Sequence, residues 1–290
     1  MGVEEIAVLM TCYDRRNKTL ACLDALTKQS SIDGIGMHVY LVDDGCTDGT
    51  ATAVHGKYPQ VHVLQGNGSL YWSGGMRMAF AEAMKDDYDY YLWLNDDVIL
   101  FENALCVLLK TSEQVREKEG REGIIVGSCR DPETGKRSYG GSLRDGSIVE
   151  PANHPRPCEL MSGNIVLIPH HVAKIVGNIS PEFVHFNGDN DYGLRAIKAG
   201  FTLCIASGYQ GLCSASEYNS WADPKVSLRE RLRILHSPKG QSPYEIYVYA
   251  RRHSGFFWLK DLAKLYLRVL FPGLYDKLKR LVKSPAKGKR

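Results

Sequence analysis

The chain has 290 residues, enough for one large domain or one domain with an extension, and enough to bury a sizeable core. Its hydrophobic fraction of 44% and charged fraction of 24% are those of an ordinary globular protein, which excludes disordered, collagen-like and coiled-coil chains. A net charge of +3 is too small to point to nucleic acid, although basic residues crowd the end, where no acid follows Asp276. The eight cysteines include no pair with the two-residue gap of a zinc or redox motif, and a chain of this size does not depend on disulfides. A reducing, cytoplasmic setting is therefore expected. The start, Met1-Gly2-Val3-Glu4-Glu5, is acidic and unlike a secretory leader, and no stretch nears the ~18 apolar residues that span a bilayer.

The first half alternates short apolar runs with helical spacing. Ile6 to Met10 reads as a buried strand ending at Thr11-Cys12-Tyr13-Asp14. Leu20, Leu23 and Leu26 mark one face of a helix. Val39 to Val42 is a second strand, closed by Asp43-Asp44-Gly45, after which Thr47 or Asp48 is expected to cap a short helix. Val61 to Leu64 is a third strand, 75–85 a helix, and Tyr90 to Leu94 a strand running into Asn95-Asp96-Asp97. This alternation predicts an α/β fold with a largely parallel sheet.

The segment Arg130 to Pro157 is rich in Gly, Pro, Ser and charge, with a hairpin turn expected at Arg144-Asp145-Gly146-Ser147. Asn164 to Pro169 reads as a strand, Asp189 to Lys198 as a helix stopped by Gly200, and Thr202 to Ser207 as a last strand. Beyond about residue 215 the pattern is helical, basic and aromatic, in Ser227 to Leu235 and in Glu245 to Tyr275. Phe256, Phe257 and Trp258 precede a stripe of Leu262, Leu265, Tyr266, Val269 and Leu270, with Lys260, Lys264 and Arg268 beside it. The stripe reads equally as a helix packed on the rest of the chain or as one lying on a membrane surface.

Ligands of open parallel sheets collect at the carboxyl ends of the strands. Thr11-Cys12-Tyr13, Asp43-Asp44 and Asn95-Asp96-Asp97 all fall at such ends, and neighbouring strands would bring them to one cleft. Adjacent carboxylates repel, and a divalent cation is the simplest compensation. Carboxylates without a Cys or His partner suit a hard ion, Mg²⁺ or Mn²⁺, whose other ligands are usually phosphate oxygens. The cleft thus reads as a metal–diphosphate site. In Gly188-Asp189-Asn190-Asp191, Asp191 lies four residues before Arg195 and can pair with it along the helix, leaving Asp189 as an ionised carboxylate able to accept a proton.

Taken together, Val8 to Arg15, Val42 to Thr50, Gly66 to Met76, Leu94-Asn95-Asp96-Asp97, and Gly188 to Asp191 with Arg195 and Gly200 come in one order. Over roughly residues 5–215 this order resembles the family 2 glycosyltransferases, bacterial inverting enzymes of the GT-A fold. The resemblance implies a mostly parallel sheet flanked by helices in a catalytic domain, 1–215, with a helical extension, 216–290. By position, Thr11, Tyr13 and Asp44 would hold the nucleotide base, a pyrimidine as in UDP or dTDP. Gly74 and Gly75 would line the nucleotide and donor sugar, Asp96 the ribose or sugar, Asp97 would bind the metal, and Asp189 would be the catalytic base. The sequence departs from the family where Gly188 replaces a common Glu, and where Gly211-Leu212-Cys213-Ser214-Ala215 lacks a histidine that often adds a metal ligand.

The function so implied is metal-assisted transfer of a hexosyl or rhamnosyl unit from a nucleoside-diphosphate sugar. The acceptor would be a glycan or a polyprenyl-linked acceptor in bacterial surface polysaccharide synthesis, with peripheral membrane contact through 244–290 on the inner face of the cytoplasmic membrane. A sugar nucleotidyltransferase would share the alternating pattern but needs a Gly-rich basic phosphate loop after the first strand, which Thr11-Cys12-Tyr13 is not. A catalytically inactive sugar-nucleotide- or glycan-binding subunit would not need both Asp97 and Asp189.

Overall fold

A computed structural model describes residues 4–30, 34–215, 220–255, 258–275 and Lys277. Phe256, Phe257 and the basic residues from Lys279 onward lie outside the described residues. The chain divides into two compact units, Met1–Ala215 and Ser216–Arg290.

The first unit opens with β1 (Glu4–Cys12), α1 (Arg16–Thr27), β2 (Ile35–Asp43), α2 (Thr50–Lys57), β3 (His62–Gln65), α3 (Tyr71–Ala83) and β4 (Tyr90–Leu94). There follow β5 (Ile99–Leu100), α4 (Ala104–Glu119), β6 (Gly123–Val126), β7 (Cys129–Arg130), β8 (Arg137–Tyr139) and β9 (Gly141–Ser142). It closes with β10 (Arg156–Cys158), β11 (Leu160–Met161), β12 (Ile165–Pro169), α5 (His170–Val176), α6 (Gly188–Lys198), β13 (Thr202–Ile205) and β14 (Gly211–Leu212). The main sheet has eight strands in the order β10-β13-β6-β12-β4-β1-β2-β3. β1 pairs in parallel with β2 and β4, β2 with β3, and β6 with β13, whereas β12 runs antiparallel between β4 and β6 and β10 antiparallel beside β13.

Both faces of this sheet are covered, which is why its strands are continuous apolar runs and not alternating ones. In β1, Ile6, Val8 and Met10 pack with Leu23 and Leu26 of α1 and Leu108 of α4. Ala7 and Leu9 point the other way, into a layer with Met76 and Phe80 of α3 and Tyr192 of α6. The central strand β6 and helix α4 lie in a stretch where the sequence patterning singled out no element. Helix α2 is not capped by Thr47 or Asp48: its N-cap is Gly49, in the left-handed region at φ 79°. Asp48 instead accepts from Thr50 N–H and from Arg16 N–H, tying the starts of α2 and α1 together.

Helix α3 begins at Tyr71, earlier than apolar spacing suggests, because a carboxylate outside the helix collects its first N–H groups. Its close approach to β1 depends on Gly75. A Cβ there would lie 2.1 Å from Thr11 Oγ1 and 2.7 Å from Thr11 Cβ, whereas at Gly74 the nearest atom, Leu70 Cβ, is 3.2 Å away.

The second unit carries α7 (Leu228–Leu235), capped by Ser227 Oγ accepting from Glu230 N–H, then α8 (Pro243–His253) and α9 (Trp258–Leu270). The single helical stretch read over 245–275 is thus interrupted, with Gly255 at φ 57° between its parts. Trp221, Leu235, Leu265 and Val269 form its core, and the Arg268 guanidinium lies 4.8 Å from the Trp221 ring centre. No helix among the described residues is long and apolar enough to cross a membrane.

The Gly75 contact gives a test of the packing. Gly75→Ala should destabilise the protein by about 1–3 kcal/mol, since the rigid, branched Thr11 cannot move aside. Gly74→Ala should cost less, partly offset by the better helix propensity of Ala. Urea unfolding of the two variants measures this; equal losses would mean that α3 does not depend on a bare backbone at position 75.

Candidate active site

The ends of β1, β2 and β4 share one edge of the sheet, with Cys12 opposite Asp43 and Leu9 opposite Trp93. Because β12 is antiparallel to β4, with Ile165 opposite Leu94, its start arrives at that same edge. Thr11 to Tyr13, Asp43-Asp44, Asn95 to Asp97 and Gly163-Asn164 therefore gather there, where ligands of such sheets bind.

Of the expected nucleotide contacts, each has a distinct situation. Tyr13 stands 51% exposed at the rim, its ring open to a partner. Thr11 lies against α3 at Gly75. Asp44 is buried, one carboxylate oxygen accepting from Gly68 N–H at 2.9 Å and the other from Leu70 N–H at 2.9 Å and Tyr71 N–H at 3.0 Å. Such charge-assisted bonds order the 66–71 loop and the start of α3. Gly66 completes this turn, since a Cβ there would meet Asp44 Oδ1 at 2.8 Å. Tyr71 adopts φ 54°, a conformation costing a bulky residue about 1–3 kcal/mol, and it is held there by Asp44.

The acidic pair is compensated by a residue to which the motif reading gave no role. Arg15 Nη1 lies 3.2 Å from Asp96 Oδ1 and 3.0 Å from Asp97 Oδ2. Thr19 adds a longer hydroxyl contact to Asp96 Oδ2, at 3.4 Å. Burial raises the Asp96 carboxyl to about 6, with Arg15 pulling the other way and the neighbouring Asp97 charge adding to the rise. Asp97 keeps 21% of its side chain exposed, against 7% for Asp96. At its other oxygen stands the Cys213 thiol, Sγ 3.6 Å from Oδ1. Burial pushes that thiol well up, so it stays protonated and donates.

Asp189 sits in the first turn of α6. Its Oδ2 accepts from Gly163 N–H at 3.0 Å and its Oδ1 from Asn190 N–H at 2.7 Å. Burial raises its carboxyl to about 6 against the backbone hydrogen bonds from Asn190, Gly163 and its own N–H. Asp191 is fully buried and pairs with Arg195 at 2.9 Å; Arg195 also donates to the carbonyls of Val176 and Asn178. Asp191 thus anchors the helix while Asp189 is left outside that pair. The glycine before it has a steric reason in this chain: a Cβ at Gly188 would lie 2.5 Å from Ser73 Oγ of α3.

Two backbone groups connect Asp189 with the acidic pair. Gly163 donates to Asp189, and the next residue, Asn164, accepts from Asn95 N–H at 3.0 Å and donates to Cys213 Sγ. Trp72 braces the same place. Its Nε1 donates to Asn95 Oδ1 at 2.7 Å, and its ring would lie 2.2 Å from a Cβ on Gly163. The role of Trp72 as a brace was not legible, because residues 72, 95 and 163 show no common pattern in the chain.

A second cluster, Asp14, Cys46 and Asp48, has ligand atoms within 4.8 Å of one another. Each is already engaged locally: Asp14 by Thr47 N–H and Oγ1, Cys46 by Asp14 N–H, and Asp48 by Arg16 and Thr50. It staples the loops after β1 and β2.

Among solved structures, the mannosyltransferase PcManGT from Pyrobaculum calidifontis, in complex with GDP-Man and Mn²⁺, is 12% identical, with 94% of this chain and 82% of that one covered at a TM-score of 0.54. S. aureus TarS 1–349 is 14% identical over 87% of this chain and 72% of its own, at a TM-score of 0.54. Its complex with UDP-GlcNAc gives 14% identity, 87% and 73% coverage and a TM-score of 0.55. At such identities the likeness is one of fold. Comparison with curated proteins gives no match. Residues 7–151, half of the chain, match the family described as Glycosyl transferase family 2. With a sheet of the GT-A kind and that match across its first half, this chain belongs to glycosyl transferase family 2.

Proposed function

We propose that the protein is an inverting glycosyltransferase that moves a sugar from a nucleoside diphosphate to an acceptor hydroxyl, with Asp189 as the base. The observation that supports this most directly is the Gly163-Asn164 backbone, which ties Asp189 to the strand edge bearing Asp96 and Asp97. An Asp189 oxygen takes the acceptor hydroxyl proton as that oxygen bonds to the anomeric carbon from the face opposite the diphosphate. The bond to the diphosphate breaks, and its electron pair leaves with the nucleotide. No acid is needed, because a diphosphate is a good leaving group. Backbone N–H donors on Asp189 fix its orientation.

The acidic pair fits a hard divalent ion, Mg²⁺ or Mn²⁺. Asp97 keeps 21% of its side chain exposed, and the adjoining Cys213 thiol is protonated and not a competing soft ligand. Asp97 would hold the ion together with diphosphate oxygens, and the ion would supply compensation for the charge of the leaving diphosphate. Asp96, behind it, would face the ribose or sugar, and Tyr13, Thr11 and the Asp44-ordered loop with Gly74 and Gly75 would shape the nucleotide pocket.

The acceptor we favour is a growing surface glycan or a polyprenyl-linked sugar at the inner face of the cytoplasmic membrane. Supporting this, α9 carries two apolar stripes. Leu265 and Val269 are buried, whereas Leu259, Ala263, Tyr266 and Leu270 recur at spacings of four, three and four on an exposed face, and Lys260 and Lys264 are exposed next to it. Apolar residues flanked by lysines suit an anionic lipid surface.

Three measurements test this reading. Asp189→Asn should lower turnover by ~100-fold or more with little change in donor affinity, and a variant with normal turnover would remove Asp189 from the chemistry. The wild-type rate should rise with pH through about 6 and level off above it, because only the ionised carboxylate accepts a proton and burial has raised Asp189 to that range; a rate already flat between pH 4.5 and 7 would contradict this. In liposome flotation, full-length protein should rise with anionic vesicles, and the double variant Leu259→Glu, Leu270→Glu should stay behind.

A further inference from the structure

Arg15 stands three residues beyond the end of β1 and immediately before the first residue of α1. Its backbone is held, its carbonyl accepting from Thr19 N–H at 3.0 Å and from Thr19 Oγ1 at 3.2 Å. Its side chain is 47% exposed and touches the acidic pair through one nitrogen alone, Nη1, shared between Asp96 and Asp97. A guanidinium that recognises a single carboxylate firmly does so with two nitrogens in a fork. Here the fork is not engaged: among the described residues Nη2 and Nε make no hydrogen bond. Arg15 thus spans two carboxylates as a single cation would, while keeping donors in reserve and a half-exposed side chain.

We propose that Arg15 is a stand-in cation: it offsets part of the charge of Asp96 and Asp97 when no donor is bound, competes with a divalent ion for Asp97, and turns to the donor diphosphate when the ion displaces it. This rests on the donor class proposed above. The reason is electrostatic. A guanidinium 3.0 Å from Asp97 and a divalent ion on the same carboxylate repel strongly, so the two exclude each other. The displaced guanidinium retains the planar fork that matches phosphate oxygens, and Arg15 regains an anionic partner only when the diphosphate arrives. Metal and nucleotide binding are thereby coupled: the ion alone meets a competitor, and the ion with its diphosphate does not.

Mn²⁺ titrated into the full-length protein without nucleotide, with free Mn²⁺ followed by electron paramagnetic resonance, tests this. Arg15→Met should bind Mn²⁺ about 10-fold more tightly than wild type, because the competitor is gone. Arg15→Lys, which keeps the charge, should stay near wild type. With Mn²⁺ saturating, calorimetry with UDP, dTDP and GDP should show whichever of these wild type binds held about 10-fold more weakly by Arg15→Met. Unchanged or weaker Mn²⁺ binding by Arg15→Met would overturn the competition, and an unchanged nucleotide affinity would overturn the transfer to diphosphate. A wild-type protein that binds Mn²⁺ but none of the three nucleotides would instead count against the donor class, while the Mn²⁺ comparison would still report on Arg15.

Discussion

The arrangement rests on two adjacent backbone groups at the start of β12. Gly163 N–H holds Asp189, and Asn164 C=O pairs with Asn95 N–H at the end of β4. Backbone hydrogen bonds of a sheet edge cannot slip without disturbing the register of buried strands, so the carboxylate that leads α6 is indexed to the strand bearing Asp96 and Asp97. That indexing exists because β12 runs against the direction of β4. A parallel strand in that place would bring its start to the opposite edge.

Close approach is the second constraint. Gly75 lets α3 lie on Thr11, Gly163 leaves room for the Trp72 ring, and Gly188 lets the first turn of α6 meet Ser73. Each is a point where one element touches another without a side chain between. The glycine preceding Asp189 is on this view required by the α3–α6 contact. Asp44 acts similarly through charge, collecting three N–H groups so that the 66–71 loop and α3 start in one place.

Electrostatics explains why so many acids can crowd one edge. Asp43 accepts from Cys46 N–H, Asp44 from its loop, Asp191 from Arg195, and Asp96 with Asp97 from Arg15. Asp189 has backbone donors and no cation beside it, and burial raises its proton affinity. A buried carboxylate with raised proton affinity and no cation holding it is suited to exchange a proton.

By itself the sequence determined the α/β alternation, the strands ending in Thr11-Cys12-Tyr13, Asp43-Asp44 and Asn95-Asp96-Asp97, and the pairing of Asp191 with Arg195. All of these follow from local spacing: apolar runs for strands buried on both faces, and one helical turn between an acid and a base. The start of α3 and the cap of α2 escaped it, because groups outside each helix, Asp44 and the Asp48 staple, decide them. Only the tertiary structure decided that β12 reverses direction, that β6 lies inside the sheet, and that Arg15 rests on Asp96 and Asp97. Such contacts join residues far apart in the chain. They depend on strand order and on the shape of facing surfaces, which no periodicity along a single segment encodes.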